Sequence, residues 1–200
     1  AAFLGELIPY IWRKNLDFAS IADIHSIKRQ IHSHGGHAEL GSPDFDVKLG
    51  RGGVREIEFF AQVQQLILGG RRPELRKSKT KEALAAMAAG GIIQAEIADD
   101  LCRSYDFLRS IEHRIQMLND EQTHHLPDVP HKRAAVAALS GYDELTRFEA
   151  DVSMVRRRVH GIYSDLFATE ERLSGEAGNL VFTGVDDDPS TVETLKKMGF

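Results

Sequence analysis

The 200-residue sequence is poor in several things at once, and each shortage closes off a class of function. Cys102 is the single cysteine, so no internal disulfide can form, and a reducing cytoplasm is the expected compartment. No apolar run approaches the ~20 residues that a membrane span requires. The N-terminus lacks the basic-then-apolar pattern of a secretion signal. Basic residues do not dominate either: 25 Lys and Arg stand against 30 Asp and Glu, for a net charge of −5 and a pI near 6.0. That balance argues against a dedicated nucleic-acid binder. What is abundant is core material, 42% hydrophobic residues, enough for one domain or for one and a piece of a second. The chain opens without an initiator Met and stops at Gly199-Phe200, so both ends read as cuts within a longer protein.

The most informative stretch runs from Asp46 to Phe60, DVKLGRGGVREIEFF. Phe45 to Leu49 alternates apolar and polar around β-branched Val47, the pattern of a short strand. Gly50, Gly52 and Gly53 permit a tight turn, and an apolar helix follows from Val54 to about Leu68, where Gly69-Gly70 stops it. A strand that enters a glycine turn opening a helix would aim backbone N–H groups and the positive end of the helix dipole at an anion. Lys48, Arg51 and Arg55 add full charges. On the helix, Arg55, Glu58, Gln62 and Gln65 form a polar stripe on an otherwise buried-looking element. Such a stripe is either paired locally, as Arg55 with Glu58 at i, i+3, or faces a wet cleft.

The remainder reads as helices. Residues 3–14 form one, 16–33 a second, Thr80 caps a third through Ala89, and a long fourth covers about 93–119. Further helices are expected over 131–139, over about 143–168 and from Ser190 to Met198. The long helix buries Ile97, Leu101, Tyr105, Leu108, Ile111, Ile115 and Leu118, while Arg109, Glu112, His113 and Gln116 make a second polar stripe. His113 beside Glu112 is either a general base or a hydrogen-bonded partner, and the structural role is the simpler one. The loop with His32, His34 and His37 lacks the spacing of a metal site and reads as solvated. Asp44 and Asp46 lie at i, i+2, as two-metal sites require on a strand, but no further strand supports a third carboxylate. The Arg156-Arg157-Arg158 run is expected to be solvated or paired with acids. The sum is an all-α, multi-helix bundle of about seven helices. Its one short strand would pair with a sheet upstream of the chain, since a lone strand is not stable. Three segments follow: a helical lead-in over 1–44, the motif strand with its bundle over 45–170, and an acidic linker over 171–200.

The motif Asp46-Val47-Lys48-Leu49-Gly50-Arg51-Gly52-Gly53-Val54-Arg55-Glu56-Ile57-Glu58-Phe59 resembles that of the bifunctional glutamine synthetase adenylyltransferase/adenylyl-removing enzyme family, in the form found in its N-terminal, adenylyl-removing half. Gly69-Gly70-Arg71-Arg72-Pro73-Glu74-Leu75, Phe107–Gln116 and Asn119–Thr123 agree in order and spacing. The likeness covers essentially the whole chain. It implies a parent enzyme of the nucleotidyltransferase superfamily shared with DNA polymerase β. That parent removes AMP from a tyrosine of glutamine synthetase by phosphorolysis, giving ADP, and attaches AMP from ATP with its other half. Mg²⁺ and ATP, ADP or phosphate serve the parent; glutamine synthetase, PII-type signal proteins and an upstream nucleotidyltransferase domain are its implied partners. The family's metal-binding Gly-Ser-Asp-x-Asp signature has no counterpart here, so the segment alone is expected to be inactive and to hold no metal or cofactor by itself. Lys48, Arg51, Gly52, Gly53 and Arg55 become phosphate- or nucleotide-binding candidates, with Glu58, Gln62, Arg109, Glu112 and His113 as cleft-lining ones. The rival is a non-catalytic helical module that docks PII-type proteins or glutamine synthetase. A sister family, the uridylyltransferase/uridylyl-removing enzyme acting on PII proteins, shares the helical domain type but lacks a close counterpart of the Lys-Leu-Gly-x-Gly-Gly turn.

Overall fold

The computed structural model describes residues 2–13, 40, 45–120 and 122–177. Among them are six α-helices: α1 (Ala2–Ile11), α2 (Val54–Leu68), α3 (Thr80–Ala89), α4 (Ala95–Asn119), α5 (Pro130–Leu139) and α6 (Leu145–Ala177). A 3₁₀ turn, Pro73–Leu75, links α2 to α3. The all-α bundle expected from the periodicities is what forms. The helices expected over 16–33 and 190–198, the His32/His34/His37 loop and Asp44 lie outside the described residues. The chain divides into two compact units, Ala1–Tyr163 and Ser164–Phe200.

α4 is the axial element and packs against α2, α3 and α5. Its Leu101, Leu108, Ile111 and Ile115 are buried, as are Val54, Ile57 and Val63 of α2, Ala83, Leu84 and Met87 of α3, and Val136 of α5. Those positions recur at three- and four-residue steps, the spacing that puts one face of each helix on a shared core. Gly53, Lys79, Gln94 and Val129 occupy the N-cap positions of α2 to α5, and none makes a side-chain cap bond. Thr80 is therefore the first residue of α3 rather than its cap. α4 stops at Asp120, whose φ of 52° is left-handed, a conformation that Asp tolerates better than most side chains. α6 runs to Ala177, past the expected end near 168 and into the stretch read as acidic loop. Glu170, Glu171, Arg172 and Leu173 are good helix formers, and no proline follows before Pro189.

The strand expected over Phe45 to Leu49 is reduced to one antiparallel bridge, Asp46 with His125. Its partner lies within this chain: Val47 N–H donates to the His124 carbonyl at 2.8 Å and Leu126 N–H to the Phe45 carbonyl at 3.0 Å. The extended run ends early because Asp46 Oδ1 accepts the N–H groups of Lys48 (2.8 Å) and Leu49 (2.7 Å), which folds the chain over on itself. The same bonds occupy the carboxylate that pairs with Asp44 in the sequence pattern.

Gly50, Gly52 and Gly53 follow because nothing larger fits. A Cβ on Gly50 would lie 2.5 Å from the Asp46 carbonyl oxygen, and one on Gly53 2.6 Å from that of Val47. Gly52, at φ +73°, would put a Cβ 2.2 Å from the Arg156 carbonyl oxygen of α6. The turn is thus a docking point for α6. Arg156 reaches back from α6: its Nε donates to the Arg51 carbonyl at 3.1 Å, and its guanidinium lies 3.7 Å over the Phe45 ring. Farther along, Arg158 and Arg103 both hold Asp100, at 2.8 Å from Arg158 Nε and 2.5 Å from Arg103 Nη2, which joins α6 to α4. Arg133 Nε donates to Glu149 at 2.6 Å and joins α5 to α6.

Two stability measurements follow. Gly52→Ala should cost about 3 kcal/mol or more in urea unfolding, since strain and collision combine. Gly91→Ala, at φ +69° with open space around it, should cost only about 1 kcal/mol. The Arg158 hydrogen bond, with Arg103 assisting, holds the Asp100 carboxyl below its ordinary range. Its contribution is therefore complete above about pH 4 and is lost as pH falls below that range. Because the arginines are exposed, Asp100→Asn should lower stability by only about 0.5–1 kcal/mol at pH 7. By pH 2 the two proteins should unfold alike.

Candidate functional site

The first turn of α2 does not offer its amides to a ligand. Gly53 N–H donates to the Gly50 carbonyl, Val54 to Val47, Arg55 to Lys48 and Glu56 to Gly53, at 2.9–3.1 Å. Those bonds leave the amides of residues 53–56 with no donor to spare for the anion expected at this turn. With its N–H donors already satisfied, a helix start has little left for a phosphate. Gly52 and Gly53 serve close packing instead. Arg51 has its side chain in solvent while its carbonyl holds Arg156.

The cations gather elsewhere, on Glu112. This residue sits in the C-terminal third of α4 on the side facing the glycine turn, with its side chain 2% exposed. Lys48 Nζ is 3.8 Å from its Oε1, His124 Nδ1 is 3.0 Å from the same oxygen, and Arg109 Nη1 donates to Oε2. The three partners come from three places: the turn before α2, the preceding turn of α4, and the loop after α4. They are brought together because the bridge at Asp46 and His125 lays the 124–126 segment beside the turn. The carboxylate is buried while Lys48, Arg109 and His124 keep 31%, 35% and 27% of their side chains exposed. A buried carboxylate needs such partners, since one left unpaired costs several kcal/mol.

Other predicted residues extend the same patch. Arg109 Nη2 lies 3.4 Å from His113 Nε2, and Gln116 Nε2 lies 3.4 Å from His124 Nδ1. His113 therefore meets Arg109; its sequence neighbour Glu112 points to another side of the helix. The Tyr105 hydroxyl, one turn from Arg109, donates to Glu58 at 3.4 Å, and Arg55 lies 3.7 Å from the other Glu58 oxygen. Burial first, and the Glu58 charge second, push the Tyr105 hydroxyl up from its ordinary value, with Arg109 opposing. Lys48 of the turn, Arg55 and Glu58 of α2 and Arg109 and His113 of α4 thus gather in one partly exposed polar patch, with Glu112 buried beneath it. Gln62 does not join it; it lines a shallow hollow with Trp12, Gln65 and Leu66. Gln65 is structural, donating to the carbonyls of Leu75 (2.6 Å) and Lys77 (2.8 Å).

A second polar cluster underlies the turn. Glu56 is buried on α2, and His160 Nδ1 of α6 lies 3.1 Å and 3.2 Å from its two oxygens. Arg156, the first of the expected solvated run, is fully buried instead. Burial lowers its pKa to about 10, with Glu56 acting the other way, so the guanidinium stays charged at neutral pH. Burial and the Glu56 charge likewise raise the Tyr163 hydroxyl. Periodicity holds the signal for both residues. Glu56 shares a face with Phe60 and Val63, and Arg156 stands at i+4 from Val152 and i−3 from Val159. His124 carries no such signal, because it lies in a loop whose register is set by the bridge.

Of the described residues, no group of three or more His, Cys, Asp or Glu could hold a metal ion. Glu56, Glu58 and Glu112 each spend their oxygens on cations or hydroxyls of the chain. These donors do not fit a divalent metal. Cys102 is half-buried, and burial pushes its thiol up, so it is a poor nucleophile. No described helix is long and apolar enough to cross a membrane.

Comparison with known proteins bears on this face. Residues 25–167 match the family model described as GlnD PII-uridylyltransferase. The bifunctional glutamine synthetase adenylyltransferase/adenylyl-removing enzyme of Agrobacterium fabrum is 56% identical over 198 residues, 99% of this chain and 20% of the relative. The enzymes of the same name from Rhizobium meliloti (53% over 198 residues) and Caulobacter vibrioides (56% over 200) are covered to the same 20%. The chain thus spans about a fifth of the length of the curated relatives it matches.

Glu112 is the group on which the face depends. Glu112→Gln should lower the stability of the 200-residue chain by about 3 kcal/mol in urea unfolding, since Lys48, Arg109 and His124 lose their common counter-charge. A change no larger than that of Asp100→Asn would show the carboxylate to be incidental.

Proposed function

The chain belongs to the GlnD PII-uridylyltransferase family and groups over its whole length with the bifunctional glutamine synthetase adenylyltransferase/adenylyl-removing enzymes, and from this we propose that it is the helical part of a nucleotidyltransferase that reverses adenylylation of glutamine synthetase. The parent, in this reading, also performs the adenylylation and so takes part in controlling nitrogen assimilation. The reaction assigned to this half is phosphorolysis: phosphate attacks the phosphorus of adenylyl-tyrosine, the bond to the tyrosine oxygen breaks, the oxygen takes up a proton and ADP departs. Phosphoryl and nucleotidyl transfer ask a protein mainly for positioning and for stabilising charge on phosphate oxygens. Mg²⁺ and the nucleotide would be held with the carboxylates of an upstream catalytic domain, since Glu56, Glu58 and Glu112 are engaged by His160, Arg55 and Lys48.

The observation that carries the reading is the half-exposed row of Lys48, Arg109 and Arg55 across α2 and α4, two of them anchored on one buried carboxylate. A row of fixed cations at the edge of a bundle is what the wall opposite a metal site needs. The rival reading, a docking module for glutamine synthetase or for PII-type proteins, draws support from Gln65, which belongs to the scaffold and not to a cleft.

The test is phosphate-dependent release of ADP from adenylylated glutamine synthetase, assayed on the complete enzyme. Lys48→Ala should slow turnover roughly tenfold or more while the protein stays folded, because one phosphate-facing charge is lost. Unchanged turnover in a folded Lys48→Ala enzyme would overturn the cleft-wall reading in favour of docking.

A further inference from the structure

Glu112 has more cationic partners than it requires. One arginine satisfies a carboxylate, yet Arg109, Lys48 and His124 all converge on this one. Two of those partners are permanent cations facing a single negative charge. Cations gathered on one carboxylate repel each other, and side-chain freedom would normally let them separate. The backbone opposes that separation: the Lys48 carbonyl accepts from Arg55 N–H and the His124 carbonyl from Val47 N–H, which fixes where both side chains start. Arg109 is held between Glu112 and His113.

Burial supplies the direction. The carboxylate lies beneath, and the ammonium, guanidinium and imidazole stand partly exposed above it. At 3.8 Å from Glu112, the Lys48 ammonium is too far for a hydrogen bond and keeps its donors for another acceptor. The His124 ring turns Nδ1 to Glu112, which leaves Nε2 on its opposite edge. Arg109 spends Nη1 on the carboxylate and has Nη2 3.4 Å from His113 Nε2, so it offers an anion its charge more than free donors.

We infer that Lys48, Arg109 and His124 form a subsite for a tetrahedral oxyanion of the phosphate class, positioned by Glu112 from below. An ammonium, a guanidinium and an imidazole converging from three directions suit the several acceptor oxygens of a phosphate better than the two of a carboxylate. The Arg51 side chain and the amides of residues 53–56, which are given to carbonyls, take no part. His124 is the residue that this assignment adds, and Glu112 is a positioning residue that touches the anion only through its partners. The subsite rests on the reading above for its role, as the seat of the attacking phosphate, but its existence can be measured without any reaction.

The experiment is calorimetric titration of the 200-residue chain with inorganic phosphate at constant ionic strength, with chloride and a tricarboxylate as comparisons. Saturable binding at one site is expected. Lys48→Gln and His124→Gln, each checked for an unchanged fold by circular dichroism, should weaken it roughly tenfold. Lys132→Ala, an exposed cation of α5, should leave it unchanged. Absence of saturable binding, equal binding of chloride, or tighter binding of the tricarboxylate would overturn the assignment, as would phosphate binding indifferent to both glutamine variants. The two proposals fail separately. Phosphate binding that depends on His124 in an enzyme whose turnover ignores Lys48→Ala would keep the subsite and remove its catalytic role. Slow turnover in Lys48→Ala without any phosphate binding would keep the cleft wall and remove the subsite.

Discussion

Backbone touching backbone at Gly52 is the constraint from which the rest follows. Any Cβ at that position would enter the carbonyl of Arg156, so α6 can approach the glycine turn only while residue 52 has no side chain. That approach buries Arg156 against Phe45, brings His160 to Glu56 and closes the core around Phe148, Val152 and Val159. A charged arginine in such a place is expensive to desolvate, as the lowering of its pKa to about 10 reflects. Phe45 and the carbonyls of Arg51 and Leu40 are what it finds there in place of water.

The motif is legible in the sequence, but its physics is easily misread. Three glycines and three cations before a helix suggest a phosphate cradle, because such turns bind anions when their amides are free. Here the amides of residues 53–56 are already given to carbonyls of residues 47, 48, 50 and 53. Pattern alone cannot register that, since a closed turn and an open one use the same residues. The helices were readable because core spacing repeats: α2 begins and ends where its apolar run does, and α4 to within two residues. The short strand was not, since Asp46 competes for the backbone with its own side chain.

The polar face shows both sides of this. Arg109, Glu112 and His113 could be named from their spacing on one helix, and Lys48 from its place in the motif. That they share one buried carboxylate could not, because Lys48 and Glu112 are far apart in sequence and meet only through tertiary packing. His124 stayed hidden for the same reason. Arg156 stayed hidden although its period was correct, because a run of three arginines overrode the seam it stands on.

The bridge between Asp46 and His125 has a consequence for how such a chain can change over generations. Surface loops ordinarily absorb added or deleted residues with little harm. The segment after α4 looks like such a loop, yet its two hydrogen bonds to residues 45 and 47 make it part of the same rigid piece as the glycine turn. One residue gained between Asp120 and His124 would rotate the imidazole away from Glu112 and strip the turn of its brace. Length in this loop is therefore as closely fixed as identity is in the motif.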